Sequence, residues 1–145
     1  MKPFLSILLL IFLFPTLVLA AEQPVGSIKT LNGEAAILRV NATIPVKIGM
    51  PVYQGDVIQT SKSGSVGIIF RDDSTVSIGP ASTMNLKQYV FEPKNNQFSF
   101  LMKFIKGTFV YVSGVIGKLS PNSINIETPT SMIGVRGTKL LIEVK

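Results

Sequence analysis

The stretch Gly55–Leu86, GDVIQTSKSGSVGIIFRDDSTVSIGPASTMNL, decides the fold. Apolar pairs fall at Val57/Ile58, Val66/Ile68, Val76/Ile78 and Met84/Leu86, about nine residues apart, with Gly, Asp, Ser or Pro between them. Short strands joined by tight turns are written this way, because β-branched residues suit a half-covered extended ribbon and turn residues supply the reversals. Val66, Ile68 and Phe70 alternate with Gly67 and Ile69, Asp72-Asp73-Ser74 reverses the chain, and Val76 and Ile78 resume the pattern. Alternation places Val66, Ile68, Phe70, Val76 and Ile78 on one covered face. Gly79-Pro80 ends that strand, since proline has no amide to give to a ladder.

The same grammar extends in both directions. Upstream, GSIKTLNGEAAILRV carries Asn32-Gly33 between two apolar segments, a strong hairpin signal that predicts paired strands near Val25–Leu31 and Glu34–Val40. Asn41–Pro45 reads as a polar break. Downstream, Gln88–Gln97 (QYVFEPKNNQ) reads as a loop or an irregular edge, and Phe98, Phe100, Met102 and Phe104 follow at period two. With Lys106-Gly107 and then Phe109–Val112, they predict the central hairpin of the core. Gly114–Ser123 reads as a flexible stretch, after which Ile124/Ile126, Ser131–Val135 and Leu140–Val144 supply further strands. No segment past residue 20 holds a 3.6-residue period free of Gly, Pro or β-branched runs, so no helix is expected there. The expectation is an all-β, compact domain of short strands, partly β-solenoid-like, with a twisted β-sandwich as the alternative that strand spacing alone does not separate.

The N-terminus reads differently. One positive charge at Lys2, an apolar run from Phe4 to Phe14, Pro15 and then Val18-Leu19-Ala20 form a signal peptide pattern, which predicts a signal helix, cleavage after Ala20 and one exported domain over 21–145. The alternative is an uncleaved anchor, since Phe4–Ala21 just reaches the shortest spanning length of about 17 residues. Either way the remainder is expected to be periplasmic or secreted, with membrane contact only through an uncleaved leader. The chain has no cysteine, so core packing alone must hold it. Its formal charge of +6 favours anionic surfaces such as an envelope polymer. No basic stripe interleaved with aromatics marks a nucleic-acid binder.

Catalytic chemistry is thinly provided. There is no histidine for general-base work near neutral pH, and zinc of the His/Cys type is excluded. No cofactor is expected. The acids are mostly isolated, which leaves an exported hydrolase using Asp56, Asp72 or Asp73 as the alternative to a non-enzymatic role. Glycosidic chemistry would need two carboxyl groups about 5–9.5 Å apart in a cleft. Asp72-Asp73-Ser74-Thr75 offers the hard oxygens calcium takes, but the pattern reads first as a turn.

Gly55-Asp56, Thr60, the Val66–Phe70 strand, Asp72 and Ser74 at the acidic turn, Gly79-Pro80-Ala81-Ser82 and a closing Gly134-Val135-Arg136-Gly137-Thr138 together resemble the FecR domain family. The resemblance covers about Val25–Val144 and marks Gly55, Asp56, Thr60, Asp72, Ser74, Ser82, Arg136, Gly137 and Thr138 as motif residues of structural role. The family pattern usually has glycine where Asp73 stands, which places Asp73 in a left-handed conformation that aspartate tolerates better than most residues. Asp56 and Arg136 are the charged residues of the opening and closing motifs, which suggests a pair joining the first and last parts of the domain. The resemblance implies a periplasmic module that receives a signal or binds an envelope protein or polymer. The best-known members also control a sigma factor through a cytoplasmic arm. Only Met1–Pro3 precede the apolar stretch here, so no such arm is expected.

Overall fold

A computed structural model describes residues 15–137 and 139–145. Its strands, in chain order, are β1 (Gly26–Asn32), β2 (Ala35–Arg39), β3 (Ala42–Pro45), β4 (Pro51–Val52), β5 (Val57–Thr60), β6 (Ser65–Phe70), β7 (Thr75–Ile78), β8 (Thr83–Glu92), β9 (Gln97–Val112), β10 (Ile124–Glu127), β11 (Met132–Gly134) and β12 (Lys139–Val144). A one-turn helix, α1 (Val115–Leu119), lies between β9 and β10. The fold is all-β. Its strands form one curled sheet in the order β3-β2-β5-β8-β9-β7-β6-β1-β4, with β10, β11 and β12 attached beside β9. Every pairing is antiparallel except that of β10 with β9.

β9 explains the curl. Its first part, Gln97–Lys106, pairs with β8, while Gly107–Val112 lies between β7 and β12. Gly107, at φ +107°, sits at the junction in a conformation that residues with a Cβ rarely adopt. The sheet thereby folds back on itself into two layers. Phe104 and Phe109, either side of the bend, stack with ring centroids 4.0 Å apart. Phe70 of one layer meets Phe100 and Tyr89 of the other at 4.8 and 5.6 Å, and Phe100 meets Tyr111 at 5.9 Å. Phe100, Met102, Phe104, Phe109 and Tyr111 are all fully buried, so period two holds on each side of the bend, while the buried positions change from even to odd across it. Each such side chain contributes roughly 1.5–3 kcal/mol of burial, and with no disulfide this layer of aromatic and aliphatic groups must stabilise the fold.

The covered face read from Val66, Ile68, Phe70, Val76 and Ile78 is the buried face, none of them more than 2% exposed. Other expectations are corrected. Asn32-Gly33 does not close a hairpin, since β1 pairs with β6 and β4 while β2 pairs with β3 and β5. The chain turns a corner there from one layer to the other, with Gly33 at φ +66° pressed against the Ser63–Gly64 backbone. The hairpin lies one step later, at Val40-Asn41, so Asn41–Pro45 holds a strand, β3. The predicted hairpin around Lys106-Gly107 is a single bent strand of 16 residues. Of the two readings of Gln88–Gln97, a loop or an irregular edge, the second describes most of it: Gln88–Glu92 ends β8 paired with β9 alone, and a register shift between Leu86 and Gln88 leaves Lys87 and Gln88 both outward and hides the alternation. Gly114–Ser123 contains α1, too short for a periodic signal. Of the leader, residues 1–14 lie outside the described residues, and Pro15–Ala20 is exposed without regular structure. Among the described residues no helix is long and apolar enough to cross a membrane.

Candidate functional site

The polar motif residues gather at three places in the apolar body. The first is the turn between β4 and β5. Gly55, at φ +90°, lets the chain reverse so that Asp56 points inward, where it is 1% exposed. Asp56 is not paired with Arg136. Arg39 at the end of β2 holds it instead, donating from Nε to Oδ1 and from Nη2 to Oδ2, each at 2.8 Å. The Tyr53 amide donates a third bond to Oδ2 at 2.8 Å, and Arg39 Nη2 also reaches the Pro51 carbonyl. The guanidinium lies 4.6 Å from the centre of the Tyr53 ring. This planar fork suits arginine's fixed donors, and the bond to Asp56 raises the Arg39 pKa further above its ordinary value. The pair ties β2 to the start of β5 in the same layer.

The second is the turn between β6 and β7. Asp73 occupies the left-handed position at φ +63° and is exposed, while Asp72 is fully buried. Asp72 Oδ1 accepts from Ser74 Oγ at 2.6 Å, from the Ser74 amide at 3.3 Å and from the Tyr89 hydroxyl at 3.0 Å. Oδ2 accepts from the Ile116 amide at 3.2 Å. The Asp72 amide donates back to the Tyr89 hydroxyl, and its carbonyl accepts from Val115. One carboxylate therefore holds its own turn, β8 of the opposite layer and the first turn of α1 together. Gly114 completes the fit, because a Cβ there would overlap the Asp72 carbonyl and the Ser74 amide. Burial, and secondly the charge of Asp72, push the Tyr89 and Tyr111 hydroxyls far above the ordinary tyrosine range.

The third is the fold-back itself. Thr60 Oγ1 donates to the Gly79 carbonyl at 2.7 Å and accepts from the Ser82 amide at 2.9 Å. Ser82 Oγ donates to the Pro80 carbonyl at 2.9 Å and accepts from the Thr108 amide at 3.1 Å. A Cβ on Gly107 would overlap Ser82 Oγ. Thr60 and Ser82 thus pin the Gly79–Ser82 turn against the bend in β9.

The closing motif stands apart. Arg136 is exposed and reaches Asn122 Oδ1 at 3.3 Å, beside a cavity of about 360 Å³ lined by Asn122, Asn125 and Val135. Gly137 is exposed at φ +136°. Thr138 lies outside the described residues. A wider surface depression of about 600 Å³ is lined by Glu34, Thr43, Gln59 and Thr60. Sequence reasoning missed Arg39, Tyr89 and Gln54, whose Oε1 accepts from the Tyr89 amide at 2.9 Å. Arg39 carried one usable signal, a charge in an otherwise apolar strand. The others carried none, because their partners lie 17 or more residues away.

What this arrangement does chemically is hold structure. Every carboxylate oxygen of Asp56 and Asp72 accepts at least one bond from the protein, and of the adjacent Asp72 and Asp73 one is buried and one exposed. Among the described residues no group of three or more acidic side chains converges as a metal site would require.

Comparison with known proteins places these features. A solved structure described as "Cell surface anchoring domain" is 34% identical over 42% of this chain and 82% of that chain, with a TM-score of 0.41. No curated protein matches the chain. The family model "FecR protein" matches residues 56–145. That span opens on Asp56, so the arginine that neutralises it is supplied from upstream of the match. With more than half of its length matched, and with the Asp72 and Ser82 clusters inside the matched span, the chain belongs to the FecR protein family.

Proposed function

We propose that this chain is a non-catalytic module of the cell envelope, exported by its leader, that recognises an envelope protein or an anionic envelope polymer by surface contact. The observation that carries the reading is the state of the two buried carboxylates. A catalytic acid or nucleophile needs a free lone pair aimed at an open space. Asp56 and Asp72 are at most 1% exposed, and each of their carboxylate oxygens accepts at least one bond from Arg39, Tyr53, Ser74, Tyr89 or Ile116. Family membership, the leader pattern and the formal charge of +6 favour the same reading.

The test is crosslinking in intact cells, with the full chain carrying a photoreactive residue at exposed positions such as Ile48 or Leu119. A single crosslinked envelope protein or polymer, lost when the unlabelled chain is supplied in excess, supports the proposal. Crosslinks confined to cytoplasmic components overturn it. So does hydrolysis of an envelope polymer by the purified chain that disappears in a folded Asp73→Asn variant.

A further inference from the structure

Four strands of the curled sheet pair with a single neighbour among the described residues, and three of them are poorly suited to accept another strand. β4 has two residues and begins with Pro51. β3 ends in Pro45, and β11 has three residues. Short length and proline are the usual ways an edge is kept from pairing. β12 has neither defence. It runs six residues without proline, pairs with β9 along one edge from Lys139↔Val112 to Val144↔Gly107, and meets no described strand along the other.

Its sequence is also complementary to itself. Lys139, Leu141 and Glu143 lie on the outer face and are exposed, with Leu141 69% exposed, while Ile142 is buried on the inner face. Setting β12 antiparallel to a second β12 about a two-fold axis through Leu141 places Lys139 opposite Glu143 twice and Leu141 against Leu141. Opposite charges and apolar groups directly across a ladder are favourable pairs, and like charges are not. Neighbouring registers lose this match. An axis at Ile142 puts Lys139 against Lys145, and one at Leu140 puts Lys139 against Leu141 and Glu143 against Gly137.

We propose that a second copy of this chain is the partner of β12, joined antiparallel about Leu141 so that the β9-side layer runs continuously through a two-fold dimer. The contact is isologous, the commonest arrangement among homo-oligomers, and it closes after one partner is added. It stands independently of the envelope-binding role proposed above.

The test is the mass in solution of the full chain, expressed with its own leader and purified in mild detergent, by light scattering and sedimentation over a concentration series. Wild type is expected to dimerise. Lys139→Glu and Glu143→Lys, each retaining the wild-type circular dichroism, are each expected to weaken the dimer about tenfold or more by creating two like-charge pairs. Mixing the two variants is expected to restore association as a heterodimer. One variant's strand then presents an acid at both outer positions and the other's a base at both, so each of the two facing pairs is again opposite in sign. A wild-type monomer up to about 1 mM overturns the proposal. So does a dimer indifferent to both reversals, or a mixture that associates no better than either variant alone.

Discussion

Removing one partner of the Arg39–Asp56 pair gives unequal losses, and the inequality follows from where the two groups sit. Asp56 is 1% exposed, whereas the Arg39 side chain is 28% exposed. Arg39→Met strands a buried carboxylate with only the Tyr53 amide as donor, a loss of roughly 3–5 kcal/mol. Asp56→Asn leaves a guanidinium that still reaches the Pro51 carbonyl, the Tyr53 ring and water through its open side. That loss is about 1.5–3 kcal/mol, the range for hydrogen bonds to a charged group. The double variant strands neither charge and should cost less than the sum of the two, with a coupling of about 1–3 kcal/mol. Urea unfolding followed by far-ultraviolet circular dichroism measures all three. For a domain of this size the Arg39→Met loss corresponds to a melting temperature about 10–20 °C lower. An Arg39→Met variant within about 1 kcal/mol of wild type, or an Asp56→Asn variant more damaged than Arg39→Met, refutes this assignment of the buried charge.

Three further outcomes are expected. Tyr111 and Tyr89 have folded pKa values raised above the unfolded value of about 10, so the stability they confer is complete below that pH and declines as pH rises beyond it, by up to about 1.4 kcal/mol per pH unit for each. Because the Tyr111 hydroxyl is buried without a hydrogen-bond partner, Tyr111→Phe should be neutral or stabilising near pH 7 and should reduce this alkaline slope, measured by urea unfolding across pH. Gly107→Ala combines a strained φ with overlap on Ser82 and should cost about 2–5 kcal/mol in the same unfolding assay. Gly49→Ala, also at positive φ but with open space around it, should cost only about 1–2 kcal/mol, so the difference isolates the steric part. Asp73→Gly should gain up to about 1 kcal/mol in thermal melts by relieving a left-handed residue, while Asp73→Val should lose about 1–2 kcal/mol.

The covered faces were legible because period two is a local property: Val66 to Phe70, Val76/Ile78, Phe100 to Phe104 and Phe109/Tyr111 each state their own side. The left-handed turn at Asp73 was legible through the family resemblance, whose pattern has glycine at that position. Strand partners were not, because pairing is decided by residues far away. Asn32-Gly33 carries the local chemistry of a hairpin, yet β1 gains more by covering the core from beside β6 than by lying against β2. Lys106-Gly107 looks like a turn, since a bend and a reversal both ask for glycine, and only the facing Ser82 distinguishes them. Among the motif residues, Asp56, Thr60, Asp72, Ser74 and Ser82 came together with partners, but the distant one anticipated for Asp56, Arg136, is elsewhere at the surface. A single sequence marks a charge that needs neutralising without saying which arginine does it.

That one strand serves both layers also fixes the order in which the molecule can be assembled. A ribosome or export channel releases the chain from its N-terminus. β2 and β3, β6 and β7, and β5 and β8 can pair as each emerges, but β7 and β8 each wait for a stretch of β9 as their second neighbour. Until about residue 112 is free, the strand that joins the two layers is incomplete. Folding should therefore be late and abrupt, in the slow range typical of topologies dominated by distant pairings. A chain stalled before that point would be a natural client for a holding chaperone.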